Sequence, residues 1–425
     1  MNNLRTFYFL VITQTLSIIG SRMTGVALGI RVYTETGNAA PLLLFSFFNE
    51  LPAMLGSSFA GVFVDRWNRK RVLVLSDSGQ ALGSLLLLIS FSTGQFQLWH
   101  LYTVAVLQGI CAMFQSPAKD AVTTMLVPDE NRDWANAVQA MSFPLAGVVA
   151  PALAGLIYVG LGISGVILID LLTFTVAVLA LTRVDIPQPK QSDIGKAVAG
   201  SMWNEWGGGL RYLSRHSGLL TLVLYFTMMN FLLNGPLELT TPYVISITGS
   251  EAMTGFVLAT SSFGGFVGAG LLAWWGTQRS RVRTVFRGML LVGLMFLVYG
   301  TARTPVLLAL AAFGLMLPLQ TWAIYTSILQ AKIPPDIQGR VFALVSQLGY
   351  VGATVSFLLV GPLVDNVLEP NAPSPGEGIG WLLVGTGFII LLMTVGVYAL
   401  PAVRGLETAL PDYEAEAVGT AQQEA

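Results

Sequence analysis

The sequence predicts an all-α polytopic membrane protein, and three observations carry that prediction. First, 54% of the 425 residues are hydrophobic and 11% are charged, whereas a soluble domain carries about 25% charged residues. Second, apolar runs of about 20 residues, the length of a bilayer-crossing helix, recur along most of the chain. Third, the basic residues fall in alternate connections between those runs, as the positive-inside rule requires. The mean hydropathy of +0.68 agrees.

Twelve spans are expected, at about 7–33, 41–63, 72–93, 98–118, 134–159, 163–182, 219–247, 252–275, 284–302, 305–330, 339–364 and 379–400. The first run is too long for a signal-peptide core and reads as span 1. With twelve spans, 19 of the 22 Lys and Arg residues lie on one side or its connections. Arg31 and Arg303 fall opposite, and Arg22 falls inside span 1. Both termini are therefore expected in the cytoplasm.

The long connection at 183–218 divides the chain. Residues 1–182 form an expected N-terminal six-helix bundle, 183–218 a cytoplasmic linker, 219–400 a C-terminal six-helix bundle, and 401–425 an acidic, disordered cytoplasmic tail. In the linker, Trp203, Trp206, Leu210 and Leu213 recur at helical spacing, which predicts a short helix on the membrane surface, weakened by Gly207 to Gly209.

Several chemistries are excluded by composition and motif. A net charge of −1 gives no field for nucleic acid. The single Cys111 cannot form an intrachain disulfide, and His100 and His216 lack ligand spacing, so no metal site is expected. There is no G-x-x-x-x-G-K-[ST] for ATP, no H-E-x-x-H and no G-x-S-x-G.

Ionisable residues inside spans are costly and mark function or tight pairing. Arg22 lies in span 1, Glu50 in span 2, Asp170 in span 6 and Glu238 in span 7. Asn230, Asn234 and Glu238 follow at i, i+4 and i+8, one stripe beside Pro236. Ser46, Glu50 and Ser57 share a face of span 2, as do Gln14, Ser21, Arg22 and Gly25 of span 1. Such stripes face a cavity or another helix. Asp170 reads either as a functional acid or as a buried structural acid paired with an arginine. Glu50 reads either as a proton carrier or as the partner of Arg22.

The halves repeat weakly. Gly61 and Gly268 are 207 residues apart, Gly155 and Gly361 are 206 apart, and a Pro-Asp-rich turn precedes both span 5 and span 11. These landmarks predict two pseudo-symmetric bundles with a site between them.

After span 2 stands Gly61-Val-Phe-Val-Asp65-Arg66-Trp67-Asn68-Arg69-Lys70-Arg71, four bases and an acid in one turn. The pattern resembles the signature of the major facilitator superfamily, with Asn68 where glycine is usual. In span 5, Gly147, Pro151 and Gly155 resemble that family's antiporter motif. The fourth-span motif is half present: Gln108-Gly109 stand, but Ala105 occupies the arginine position, which removes a standard proton relay there. Segments 116–130, 150–158, 169–172 and 339–344 resemble the macrolide-efflux and enterobactin-exporter branch.

The resemblance implies the major facilitator fold and a secondary transporter of the bacterial inner (plasma) membrane, working as a monomer without cofactor and driven by the proton gradient. It implies that Gly61 lets span 2 approach span 11, that Asp65 faces the start of span 11, and that Arg69 pairs with Asp120 in a gating latch. It implies a cavity lined by spans 1, 4, 7 and 10, hence by Gln14, Arg22, Gln108, Asn230, Asn234, Glu238 and Gln320. Glu238 is the first expected proton carrier and Glu50 the second. Export of a lipophilic small molecule is the leading expectation. Uptake by symport is the alternative on the same fold, and a non-transporting sensor or enzyme is the alternative outside it.

Overall fold

A computed structural model describes residues 3–127, 131–184, 202–275, 280–410 and 412. Within these, the side chains at positions 3, 58, 59, 61, 62, 65, 66, 121, 124, 132, 133, 136, 137, 140, 202–208, 275 and 336 lie outside the described set. The described residues are helical throughout, without strands. Helices α1 (Asn3–Thr36), α2 (Ala40–Arg66), α3 (Arg69–Ser92) and α4 (Leu98–Leu126) fall on the first four predicted spans. Spans 5 and 6 form one helical stretch, α5 (Arg132–Arg183), whose two arms turn at Gly162. The φ of 64° there belongs to the left-handed region that glycine enters without strain, so no loop is needed.

The second half begins with α6 (Met202–Arg215), the predicted linker helix. Span 7 is divided into α7 (Ser217–Glu238) and α8 (Thr240–Thr248). Pro236, just before the break, lacks an N–H and crowds the preceding turn. Spans 8 and 9 are α9 (Glu251–Trp275) and α10 (Arg281–Thr301). Span 10 is divided after Pro318 into α11 (Pro305–Leu319) and α12 (Trp322–Lys332). Spans 11 and 12 are α13 (Pro335–Leu363), continued by a π turn at Val364–Leu368, and α14 (Glu377–Ala399). Ten stretches are long and apolar enough to cross a bilayer among the described residues. One of them, Met141–Arg183, has 43 residues, about twice what one crossing takes. The architecture is consistent with the expected twelve.

Asn68, the departure from the signature glycine, has a local role. Its side chain accepts from the Arg71 backbone N–H at 3.0 Å and caps the N-terminus of α3. Lys70 Nζ donates to the Thr182 and Val184 carbonyls at 3.0 and 2.6 Å, which ties the basic turn to the end of α5.

In the N-terminal half α1 lies along α5, α2 on α4, and α3 against α4 and α5; in the C-terminal half α10 lies on α14, α9 on α11, and α7 on α13. Two crossings join the halves, α2 with α13 and α5 with α9. In span numbers these are 2 with 11 and 8 with 5, so exchanging the halves exchanges the crossings. Both become tight toward the face opposite the basic turn. A Cβ on Gly255 would stand 2.5 Å from the Pro151 carbonyl, and one on Gly361 would stand 2.7 Å from Ala40 Cα. Asp365, in the π turn, completes that contact: its two carboxylate oxygens accept from the Ala39 and Ala40 N–H groups at 2.8 and 2.7 Å. It thereby satisfies donors that the first turn of α2 leaves open. Gly268, the repeat mate of Gly61, packs instead on the Leu317 carbonyl of α11, inside its own half. The side chains of Gly61, Asp65 and Arg66 lie outside the described residues.

The tail differs from expectation. Rather than leaving the fold at 401, the chain forms α15 (Pro401–Arg404) and α16 (Leu406–Ala409), with Val403 and Leu406 buried. Glu407 accepts from the Arg281 backbone N–H at 2.6 Å at the start of α10. Asp412 pairs with Lys332 at 2.8 Å and with Arg281 at 3.2 Å. Two apolar side chains and two acids opposite basic helix ends offset the loss of chain entropy; residues 413–425 lie outside the described set. The linker helix α6 buries Leu213 and leaves Leu210 exposed. It packs at Gly209 on Arg340, at the start of α13, and Tyr212 Oη donates to the Lys332 carbonyl at 3.0 Å. The side chains of Trp203 and Trp206 lie outside the described residues.

Candidate substrate cavity

Among the described residues, two of the cavities between the helices hold predicted site residues. The larger, about 620 Å³, takes its wall from both halves. From the N-terminal half come Gln14 and Arg22 of α1, Gln115 and Lys119 of α4, and Phe143 and Pro151 of α5. From the C-terminal half come Glu238, Thr240 and Thr241 around the α7–α8 break, Ser261 and Ser262 of α9, and Met316 of α11. Its size and its mix of apolar wall with polar and charged groups suit a small amphipathic molecule. Spans 1, 4, 7 and 10 all contribute, as expected, and spans 5 and 8 contribute as well.

The smaller cavity, about 390 Å³, lies by α7, α12 and α13 and is lined by Glu50, Asn230, Asn234, Trp322 and Tyr350 among others. The predicted stripe of span 7 is therefore split. Asn230 and Asn234 face the smaller cavity, while Glu238, past Pro236, faces the larger. The amides are partly spent on their own helix: Asn230 Nδ2 donates to the Phe226 carbonyl at 3.0 Å and Asn234 Nδ2 to the Asn230 carbonyl at 2.7 Å.

One of the two acids bonds across the boundary between the halves, and the other stands near it. Ser46 Oγ donates to Glu238 Oε1 at 2.9 Å across the boundary between the halves. Glu50 stands one turn further along α2 from Ser46, close enough for its charge to act on Glu238. Glu50 makes no ion pair with Arg22. Among the described residues Arg22 has no carboxylate partner at all; its guanidinium lies 5.4 Å from the Phe143 ring centroid.

Asp170 lies away from both cavities, 1% exposed. The expected arginine partner is replaced by hydroxyls: Ser84 Oγ donates at 2.7 Å and Ser21 Oγ at 3.2 Å. A close approach at Gly20, where a Cβ would stand 3.0 Å from Asp170 Cα, locks α1 against α5 at this point. Two other cavity candidates line neither of these cavities and lie in packing contacts instead. Gln108 lies against Gly83 of α3, and Gln320, at the α11–α12 break, lies against Gly265 and Gly268 of α9. Of the span 5 motif, Gly155 allows contact with Gly255, Pro151 reaches both the crossing and the larger cavity, and Gly147 leaves room beside Arg22 and Ser262.

Asp77 escaped the sequence reading. It is fully buried in α3, where Gln14 Nε2 donates to one oxygen at 2.8 Å and Gln115 Nε2 donates to the other. Lys119 lies within reach of its charge. The rule that picked out Glu50, an acid inside an apolar run, also finds Asp77; its two amide partners become visible only in the fold. In the basic turn, Arg69 Nη1 lies 3.3 Å from Met125 Sδ, while Asp120 of α4 accepts from Gln139 Nε2 of α5 at 3.4 Å.

Paired helical bundles around a shared, partly polar cavity define the class of a membrane transporter. The model of the Major Facilitator Superfamily matches residues 10–357, and the chain belongs to that superfamily. Macrolide efflux protein A of Streptococcus pyogenes is 26% identical over 380 residues, 85% of this chain and 90% of that protein. Multidrug efflux pump Tap of Mycolicibacterium fortuitum is 25% identical over 404 residues, covering 92% and 94%. Enterobactin exporter EntS of Salmonella typhimurium is 24% identical over 405 residues, 92% of each chain. The fold is similar to that of a bacterial homolog of the human lysosomal transporter Spinster in an inward-facing, unoccupied conformation, with a TM-score of 0.74 at 15% identity, covering 96% of this chain and 98% of that one. It is similar also to the nucleoside transporter NupG, with a TM-score of 0.75 at 13% identity, covering 92% and 100%. The protein is a multi-pass transporter of the bacterial inner membrane.

Proposed function

We propose that the protein exports lipophilic or amphipathic small molecules from the cytoplasm by alternating access, in exchange for protons. The observation that carries this reading is the placement of Glu238. It stands in the wall of a cavity shared by both halves, and its bond to Ser46 crosses the boundary that must shift when the cavity changes sides. A carboxyl so placed exchanges its proton as its surroundings change from wet to closed, because desolvation disfavours the charged form. Glu50, one turn from Ser46 on α2 and within reach of the charge of Glu238, is the second acid of that relay. The efflux-named relatives support the outward direction. The basic turn after α2 serves as the gate, with Asp65 and Arg69 as its working residues and Asp120 as the matching acid.

The test is reconstitution in proteoliposomes of known orientation with an amphipathic fluorescent dye. An imposed proton gradient drives dye toward the lumen that corresponds to the cell exterior. Glu238→Gln keeps dye binding and loses gradient-driven movement by at least about ten-fold, the effect of about 1.4 kcal/mol on a barrier. Glu50→Gln slows it less. Gradient-driven transport unchanged in both variants rejects the proton assignment. Accumulation in the opposite sense rejects export and leaves symport.

A further inference from the structure

Three cations lie away from the basic face, in or beyond span 1 and at the end of span 9: Arg22, Arg31 and Arg303. Two are compensated. Arg31 pairs with Glu35 one turn on. Arg303 donates from Nη1 to Tyr243 Oη at 2.8 Å and to the Gly300 and Ala302 carbonyls at 3.2 Å each, capping α10. Arg22 has neither kind of partner among the described residues, although it lies deepest in a span. The other cation of the larger cavity, Lys119, stands within reach of the charges of Asp77 and Asp120. The cavity's carboxylate, Glu238, is bonded by Ser46 and makes no ion pair with Arg22.

The surroundings of Arg22 keep one side of the guanidinium free. A Cβ on Gly147 would stand 3.3 Å from Nη1, so any side chain there would crowd it, and Gly25 has open space beside it. Phe143 covers one face of the guanidinium plane. Ser262 supplies a neutral hydroxyl close by. An unpaired cation inside a span is costly and faces a pathway rather than lipid. A guanidinium presents its donors as a rigid fork that fits two coplanar oxygens.

We propose that Arg22 is a specificity-determining residue for anionic substrates: the larger cavity takes amphipathic organic carboxylates, with the carboxylate on the Arg22 fork and the apolar body along Phe143 and Met316. The proposal rests on the reading of this cavity as the transport site.

The experiment measures fluorescence binding to the purified full chain in nanodiscs. The probes are 11-(dansylamino)undecanoic acid and its primary amide, which differ in charge and share one body. Wild type binds the acid at least about ten-fold tighter than the amide, the preference expected of one charge-assisted fork. Arg22→Gln removes that preference, the acid losing at least about ten-fold in affinity relative to the amide. Arg22→Lys keeps part of it, since the charge remains and the fork does not. The wild-type ratio needs no variant, so a misfolded Arg22→Gln leaves the measurement standing. Equal affinity for acid and amide in wild type overturns the proposal. So does an acid preference that survives Arg22→Gln. Ser262→Trp, which fills the cavity beside Arg22, separates the two levels. If it abolishes binding of both probes while they bind wild type equally, the cavity reading holds and the anion assignment falls. If both probes bind Ser262→Trp undiminished, the cavity reading falls and the proposal with it.

Discussion

Three acids, Asp170 buried and Glu238 and Asp412 exposed, illustrate how neighbours decide what a residue can do. Asp170 is held by Ser84 and Ser21, whose hydroxyls rotate to donate or accept. Asp170→Asn therefore leaves gradient-driven transport within about two-fold of wild type, whereas Glu238→Gln abolishes it; transport in proteoliposomes checks both. A change at an independent structural site adds little to a change at a functional one. Asp412 makes a pH-dependent prediction. The hydrogen bond from Lys332, and then the charges of Lys332 and Arg281, hold its carboxyl below the usual carboxylate range. A depressed value means that its contribution is present above the ordinary carboxylate value and is lost as pH falls through the lowered one. Limited proteolysis or hydrogen exchange of 401–412 will show protection at neutral pH that disappears below about pH 3–4. Asp412→Asn removes that protection at neutral pH as well. A tail equally protected in the variant counts against the clasp.

At the scale of the element, spans are broken or joined at residues with plain physical reasons. Gly162 lets spans 5 and 6 meet without a loop, and Pro236 and Pro318 precede the breaks in spans 7 and 10. Glu238 is the last residue of α7, just before the break, and lines a different cavity from Asn230 and Asn234 of the same helix. The small residues of span 5 are legible as a motif, and the fold gives their partner as Gly255 of α9. Gly255→Val places side-chain atoms against the Pro151 carbonyl and costs about 1–3 kcal/mol by overpacking. A lowered Tm in detergent, with Gly270→Val as a control at a glycine with open space beside it, checks this. Equal effects of the two substitutions would show that the crossing is not tight.

Across the whole molecule, the described contacts between the halves gather at the face opposite the basic turn, and Asp365 is the one acid that bridges them there. Asp365→Ala removes the acceptor of two N–H groups at a helix start, a loss of about 0.5–2 kcal/mol. The equilibrium shifts by that amount toward the state open on this face. In a chain with Cys111→Ala, a cysteine at Ala40 becomes about three-fold or more accessible to a membrane-impermeant thiol reagent when Asp365 is replaced. Unchanged accessibility would sink the latch. The Asp365 contact stands at the face opposite the signature turn, which is proposed as the other gate.

Most of the architecture was legible in the sequence because a bilayer permits few solutions. Backbone groups in hydrocarbon must bond within the segment, so each apolar run of sufficient length becomes a helix, and basic residues choose the side on which connections lie. The family followed from the turn at Gly61 to Arg71 and the span 5 glycines. The tail and the site were less legible, for one shared reason: their partners are distant in sequence. Val403 and Leu406 dock because α7 and α10 end nearby. Asp77 matters because Gln14 and Gln115, 63 and 38 residues away, converge on it. Glu238 and Glu50, 188 positions apart in the chain, come within reach of each other's charge only because α2 and α7 meet. The sequence by itself determined that this protein is a helical membrane transporter of two related halves. Only the tertiary structure decided which intramembrane charges are satisfied. Among the described residues, Asp170 and Asp77 accept a hydrogen bond on each oxygen and Arg22 has no counter-ion, because helix packing rather than helix periodicity sets which faces meet.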